Sequence, residues 1–371
     1  MDSELHNFDQ NLINEAYQNG GFLLVFNVPK GICIGLDWHE FLTDKKFLGF
    51  KMIPTDKSYH FLYANAISQE NVGAPGARVC YSFQMMRPGE IQGIEWDQEN
   101  EMFRPYNGKL PNNEQIKSLD SELAPFPYKT GIKWKSLTSN ILLKNPDNLT
   151  LEYNPHYHDL PKYWFDTKNA TSEERWDYHK KDSSWLFKSQ TLDLKKLLSD
   201  FEYHFIYFVL GQDFNAFENW KKTLRILSHF KTGFEIASDN NNDNDKGTSQ
   251  IKEISKFIRT LIIQLVEFPA DMLEVAQDDN LLYEYCCHII QLSKRNLPER
   301  AQRLEEFIGD QFQWSLPVQK QKNNKLSKTQ KYSLNDEPDD KLREQMTAHA
   351  LLMADFDDLP EDERPVIVDL L

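Results

Sequence analysis

The sequence is short of most patterns that mark a catalytic, secreted or membrane protein. Cysteine is scarce: Cys33, Cys80, Cys286 and Cys287 are the four in 371 residues, and they show no framework spacing. Reduced, intracellular thiols are the expectation. The longest hydrophobic runs, such as Phe205–Leu210, fall far below the ~20 residues that cross a bilayer. The N-terminus, with Asp2 and Glu4, lacks the basic and apolar layout of a signal peptide. Positive charge is also in deficit, with 42 Lys and Arg against 57 Asp and Glu, a net charge of −15 and a pI near 5.2. That balance argues against a general nucleic-acid surface, because phosphate affinity comes mostly from clustered cations. It leaves room for a protein partner inside a ribonucleoprotein. No membrane contact is expected, and the cytoplasm, with the nucleus as a second compartment, is the expected location.

Motifs with chemistry are equally thin. No Gly-x-Ser-x-Gly elbow occurs. Val28-Pro29-Lys30-Gly31 lacks the glycines and Ser/Thr of a phosphate-cradling loop and reads as a hairpin turn. His156-Tyr157-His158-Asp159 has neither Cys partners nor a second His pair, so it reads as a surface loop rather than a metal centre. Counting from Asp239, the Asn/Asp run places Asn244 and Gln250 where a calcium loop needs Gly and Glu. Cys286 and Cys287 lie in an apolar helical run and read as core. His204, His229 and His288 read as structural histidines, and Glu95 and Asp97 as a solvated strand face. No catalytic residue, metal or cofactor is expected.

What the sequence does contain is well patterned. A hydrophobic share of 40% and an aromatic share of 13% suffice for filled cores, and the length suits two domains. Leu5 to Tyr17 has helical spacing, stopped at Gly20-Gly21. Short β-rich runs follow: Phe22–Val28, Phe47–Ile53, Tyr59–Ala64, Val79–Met86 and Ile91–Trp96, separated by turn signals. They predict an antiparallel sandwich or barrel. Helices are expected over Asn112–Leu123 and Thr130–Leu143. Residues 145 to 189 read as irregular.

The second half reads as helical. Phe201–Phe230 predicts a tightly joined pair, with Gly211 in the left-handed position after the first helix and Asp213 capping the second. Phe214, Phe217, Trp220, Leu224 and Leu227 recur at three or four residues, which places them on one stripe. Ile251 to Leu265 forms another stripe, with Pro269 stopping it and Asp271 capping a successor. Leu281–Lys294 follows, and then a helix with Pro298 in its first turn. Ser238–Gln250 reads as a disordered loop. Gln319–Lys331 carries five lysines and no acid, and the last 37 residues carry twelve acids against three bases. Leu342–Met353 reads as a weak amphipathic helix. The chain closes on Pro365-Val366-Ile367-Val368-Asp369-Leu370-Leu371, an apolar β-branched tip suited to pairing with an open sheet edge.

Taken in order, Val28-Pro29-Lys30-Gly31, Gly35-Leu36-Asp37, Lys51-Met52-Ile53-Pro54, His60-Phe61, Pro127-Tyr128, Trp134 and Ser136-Leu137-Thr138 resemble the amino-terminal half of the Aar-two family of splicing factors. Leu210-Gly211, Ala216-Phe217-Glu218, Trp220-Lys221, Pro269-Ala270-Asp271, Asp279-Asn280, Phe312 and Trp314 extend the resemblance, and the tip is similar to the family's closing segment.

The resemblance implies an α+β multidomain chain. An all-β, sandwich-like domain (1–150) and an irregular linker (151–189) precede an all-α, VHS-like helical stack (190–316). A flexible linker and acidic tail (317–364) then lead to a strand-forming tip (365–371). It implies a non-enzymatic chaperone of U-five small nuclear ribonucleoprotein assembly. Such a chaperone binds the RNase H-like and Jab/MPN-like domains of the Prp-eight scaffold and withholds the latter from the Brr-two helicase. Pro365, Val366, Ile367, Val368, Asp369 and Leu370 are the partner-binding candidates. Ser238, Thr248 and Ser249, flanking the Asn/Asp loop, are candidate phosphorylation sites whose added charge would loosen the complex. The competing readings are a peptide- or ubiquitin-binding adaptor on a helical stack, and a hydrolase built from scattered acids.

Overall fold

The computed structural model describes residues 16–43, 46–67, 75–142, 183–184, 193–234, 244–268, 281–312 and 314. The chain separates into two compact units, one carrying the strands and one the long helices. The expectations placed on Leu5–Glu15, on His156–Asp159 and most of the segment around it, on Pro269 and Asp271, and on everything after Trp314 lie outside the described residues.

In the first unit, strands β1 (Gly21–Phe26), β2 (Cys33–Leu36), β3 (His39–Leu42), β4 (Gly49–Ile53), β5 (Tyr59–Ile67), β6 (Pro75–Gln84), β7 (Ile91–Asp97), β8 (Met102–Pro105) and β9 (Leu123–Pro125) form two sheets. Their orders are β8-β7-β1-β4-β9 and β3-β2-β5-β6. The main core lies between them. Leu23 and Val25 of β1 meet Ile34, Leu36, Leu62, Phe83, Ile94 and Trp96 there. Leu24, on the opposite face, meets Ile116 and Leu123 in a smaller core. Burial on both faces explains why β1 is a continuous apolar run rather than an alternating one.

The structure corrects several expectations. The pairing is not purely antiparallel: β1 pairs parallel with β7, and β4 with β9. Both partners return after long excursions, so no hairpin dictates their direction. Val28–Gly31 is not a hairpin turn, since β1 and β2 belong to different sheets. The helix expected over Asn112–Leu123 shrinks to α1 (Asn113–Ser118), capped by the Asn112 side-chain oxygen, which accepts from the Gln115 N–H at 2.9 Å. Leu123 is drawn instead into β9 and the smaller core. The next helix, α2 (Gly131–Thr138), is also shorter than expected. Its Ser136 and Thr138 hydroxyls donate back to the Ile132 and Trp134 carbonyls, a local bond that favours ending a helix.

The second unit holds α3 (Leu194–Val209), α4 (Phe214–Ser228), α5 (Lys231–Phe234), α6 (Asn244–Val266), α7 (Leu281–Ser293) and α8 (Pro298–Phe312). Trp220 of α4 is fully buried. Its ring lies 5.3 Å from Phe201 and 4.7 Å from Phe268, and its N–H donates to Gln264 of α6 at 2.9 Å. Asp213 caps α4 as expected, accepting from the Asn215 N–H at 2.8 Å. The left-handed residue before it is Gln212, at φ 56°, and not Gly211. Asn244–Gln250, expected as loop, form the first turns of α6. The low helix propensity of Asn, Asp and Gly is overridden by the apolar stripe that continues from them.

Gly49 sits at φ +145°, where an added Cβ would lie 2.0 Å from the Leu23 carbonyl oxygen. Gly49→Ala is therefore expected to lower unfolding free energy by about 1–3 kcal/mol in urea titrations. His204 is buried, and burial pushes its imidazole down to about 4, with the Lys222 cation assisting against a hydrogen bond to the Asp200 carbonyl. The unfolded chain then takes up this proton first as pH falls, so stability drops between the ordinary value of 6.5 and about 4. His204→Gln is expected to flatten that acid arm of the stability–pH curve by up to about 3 kcal/mol.

Candidate functional site

Two of the blocks that mark the first half of the sequence converge on one buried polar hub. Asp37, in the turn after β2, takes φ 53°. Its N–H donates to the Phe61 carbonyl at 2.8 Å, and one carboxylate oxygen accepts from the Phe61 N–H at 2.8 Å. The other oxygen meets His60 Nδ1 at 2.9 Å. The pair is sealed, with Asp37 0% and His60 1% exposed. Phe83 stacks on the imidazole and Phe126 meets it edge-on. Burial alone would push the imidazole down, but the Asp37 carboxylate outweighs it and holds His60 above its ordinary value.

Neighbouring blocks tie into the same strands. The Tyr128 hydroxyl donates to the Met52 carbonyl at 2.7 Å, and the Trp134 N–H donates to the Tyr59 carbonyl at 2.6 Å. A His–carboxylate pair can serve acid–base chemistry only where substrate reaches it. This one is walled by aromatic rings and backbone, so its work is architectural.

The remaining ionisable clusters are likewise used in structure. Arg104 bridges Glu95 at 2.9 Å and Asp97 at 3.0 Å, pairing the acids that flank Trp96 with a cation from β8. The Cys33 thiol donates to Glu40 at 3.3 Å, and burial pushes it up to about 11, far from a reactive thiolate. Arg78 meets Glu40 at 2.8 Å and stands over the Tyr63 ring. Cys286 and Cys287 are buried in α7, as their apolar run predicts. His229 Nδ1 lies 2.8 Å from the Arg225 carbonyl. Among the described residues no group of three or more His, Cys, Asp or Glu could hold a metal ion, and no helix is long and apolar enough to cross a membrane.

Of the sequence-marked partner and modification residues, Pro365, Val366, Ile367, Val368, Asp369, Leu370 and Ser238 lie outside the described residues. Thr248 and Ser249 are described, and they lie in the early turns of α6 rather than beside a loop. Sequence reasoning misses the Asp37–His60 pair itself. Both residues stand in blocks that carry the family resemblance, but 23 positions separate them and only the β2–β5 pairing brings them together.

Removing one partner strands a buried charge. Asp37→Ala is expected to cost about 3–5 kcal/mol of unfolding free energy, measured by denaturant titration. His60→Phe in the same background is expected to recover part of that loss.

A family profile described as the AAR2 N-terminal domain matches residues 19–150, and one described as the AAR2 C-terminal repeat region matches residues 157–317. The protein named "Protein AAR2 homolog" from Caenorhabditis elegans is 23% identical over 373 residues, covering 82% of this chain and 96% of the relative. Those of Mus musculus and Homo sapiens are 24% and 22% identical, covering 82% and 84% of this chain and 92% and 94% of theirs. The two profiles match in sequence order, and between them they take in both the strand-bearing and the helical unit. The chain belongs to the AAR2 family.

Proposed function

We propose that this protein is a non-enzymatic assembly chaperone for the U-five small nuclear ribonucleoprotein. In this reading it binds the RNase H-like and Jab/MPN-like domains of the Prp-eight scaffold and keeps the Brr-two helicase away until assembly is complete. The observation that carries the reading is family membership across both units. The absorption of the described ionisable clusters into structure supports a binding role over catalysis. The net charge of −15 favours a protein partner over direct nucleic-acid contact.

The tip Pro365–Leu371 is the proposed strand-adding segment. Val366 and Val368 would face one side of the added strand, and Ile367 and Asp369 the other. Body and tip engaging separate domains of one scaffold would raise each other's effective concentration. Phosphorylation of Ser238, Thr248 or Ser249 would weaken the complex by adding roughly −1.5 to −2 charges each beside existing acids.

Deleting Pro365–Leu371 tests the tip. Affinity for a Prp-eight fragment holding both domains, measured by calorimetry, is expected to fall at least about tenfold, or about 1.4 kcal/mol. Unchanged affinity would sink strand addition while leaving the scaffold-binding role standing. Thr248→Glu with Ser249→Glu is expected to weaken the same complex in that assay, and an intact affinity would count against the phosphate switch.

A further inference from the structure

Phe214 departs from the rule that the rest of α4 obeys. Trp220, Leu224 and Leu227 are buried as their spacing demands, whereas Phe214 keeps 66% of its surface exposed. It is the one exposed large hydrophobic residue among the described residues of the helical unit. Phe217 stands one turn on, with its ring 6.1 Å from Phe214 and stacked at 4.5 Å on Phe208. An aromatic ladder therefore leads from the Trp220 core to the surface. The Lys221 ammonium lies 4.7 Å from the centre of the Phe217 ring and meets Glu218 at 2.6 Å.

Positions 214, 217, 221, 222 and 225 share one helical stripe, and none of the five residues is buried. The stripe carries Lys221, Lys222 and Arg225 against Glu218 alone. A net-basic aromatic surface is an exception on a chain of net charge −15. Exposed aromatics with a charged rim are the usual anchors of protein recognition.

The matching occupant must be acidic and apolar together, and the sequence holds such a segment. Asp355-Phe356-Asp357-Asp358-Leu359-Pro360-Glu361-Asp362-Glu363 places six acids around Phe356 and Leu359. Phe356 lies 44 residues beyond Phe312, the end of α8. A coil of that length reaches about 35 Å, more than the roughly 22 Å length of a helix the size of α4. Tethering also supplies an effective concentration that an intermolecular ligand would have to exceed.

We propose that Asp355–Glu363 docks in cis on the Phe214–Arg225 stripe of α4, with Phe356 against the aromatic ladder and the acids facing the cations. This contact lies beyond the scaffold-binding reading and does not depend on which partner takes the tip. It parks the tail on the helical unit, and a partner that draws the tip away must break it.

Photo-cross-linking in the full chain tests the contact. p-Benzoylphenylalanine replaces Phe356, the dilute protein is irradiated, and cross-linked peptides are identified by mass spectrometry. Intramolecular cross-links concentrated within Phe214–Arg225 are expected. Lys221→Glu with Arg225→Glu, or about 1 M salt, is expected to lower their yield about fivefold or more, since screening shortens the electrostatic reach to ~3 Å. Cross-links mapping elsewhere, cross-links only between molecules, or a yield indifferent to charge reversal would each overturn the proposal.

Discussion

The carboxylate of Asp37 is the constraint on which the strand-bearing unit depends most. One side chain fixes the turn after β2, accepts from the backbone of β5 and holds the His60 imidazole. Such a pair is expensive to bury, and it persists where geometry and added hydrogen bonds are complete. Here the backbone bonds to Phe61 supply that completion. Around the pair, the Tyr128 and Trp134 side chains satisfy carbonyls of residues 52 and 59. The sheet strands and the segment that follows them are thereby locked together.

The helical unit is organised by a different device. Trp220 combines a large apolar body with a polar handle, so its ring fills the aromatic core while its N–H specifies Gln264 as neighbour. An apolar residue of similar size would fill the space and lose the register. The same helix then exposes Phe214 on its other side. Core and surface are thus divided within a single amphipathic element, and recognition is left to its outward stripe.

Much of this architecture is legible in the amino-acid pattern alone. The apolar run Phe22–Phe26, the stripe Ile254 to Leu265 and Pro298 in a first turn each point to an element of the right type, because local pattern and tertiary environment agree there. Strands β2, β3, β8 and β9 carry little local signal, being three or four residues long and existing through pairing rather than propensity. Gln212 takes the left-handed position that the residue type of Gly211 favours, since the turn's geometry decides the matter. Phe214 lies outside the core its spacing suggests, because periodicity assigns a residue to a stripe without fixing where the stripe's edge meets water. The polar hub is half legible: its residues stand in distinctive blocks, but their convergence requires the sheet. The tip at Pro365–Leu371 stands out by chemistry alone, as a β-branched sequence with no place in a core.

These features describe a protein whose ionisable groups are used to hold two units in shape, leaving surfaces and a tail for binding. Affinity purification of the full chain from cells, with quantitative mass spectrometry of the co-purified proteins, tests that description most directly. The account predicts Prp-eight in near-stoichiometric amount together with other U-five precursor proteins, and the Brr-two helicase strongly depleted. A purified complex lacking Prp-eight, or one carrying Brr-two in equal amount, would contradict it.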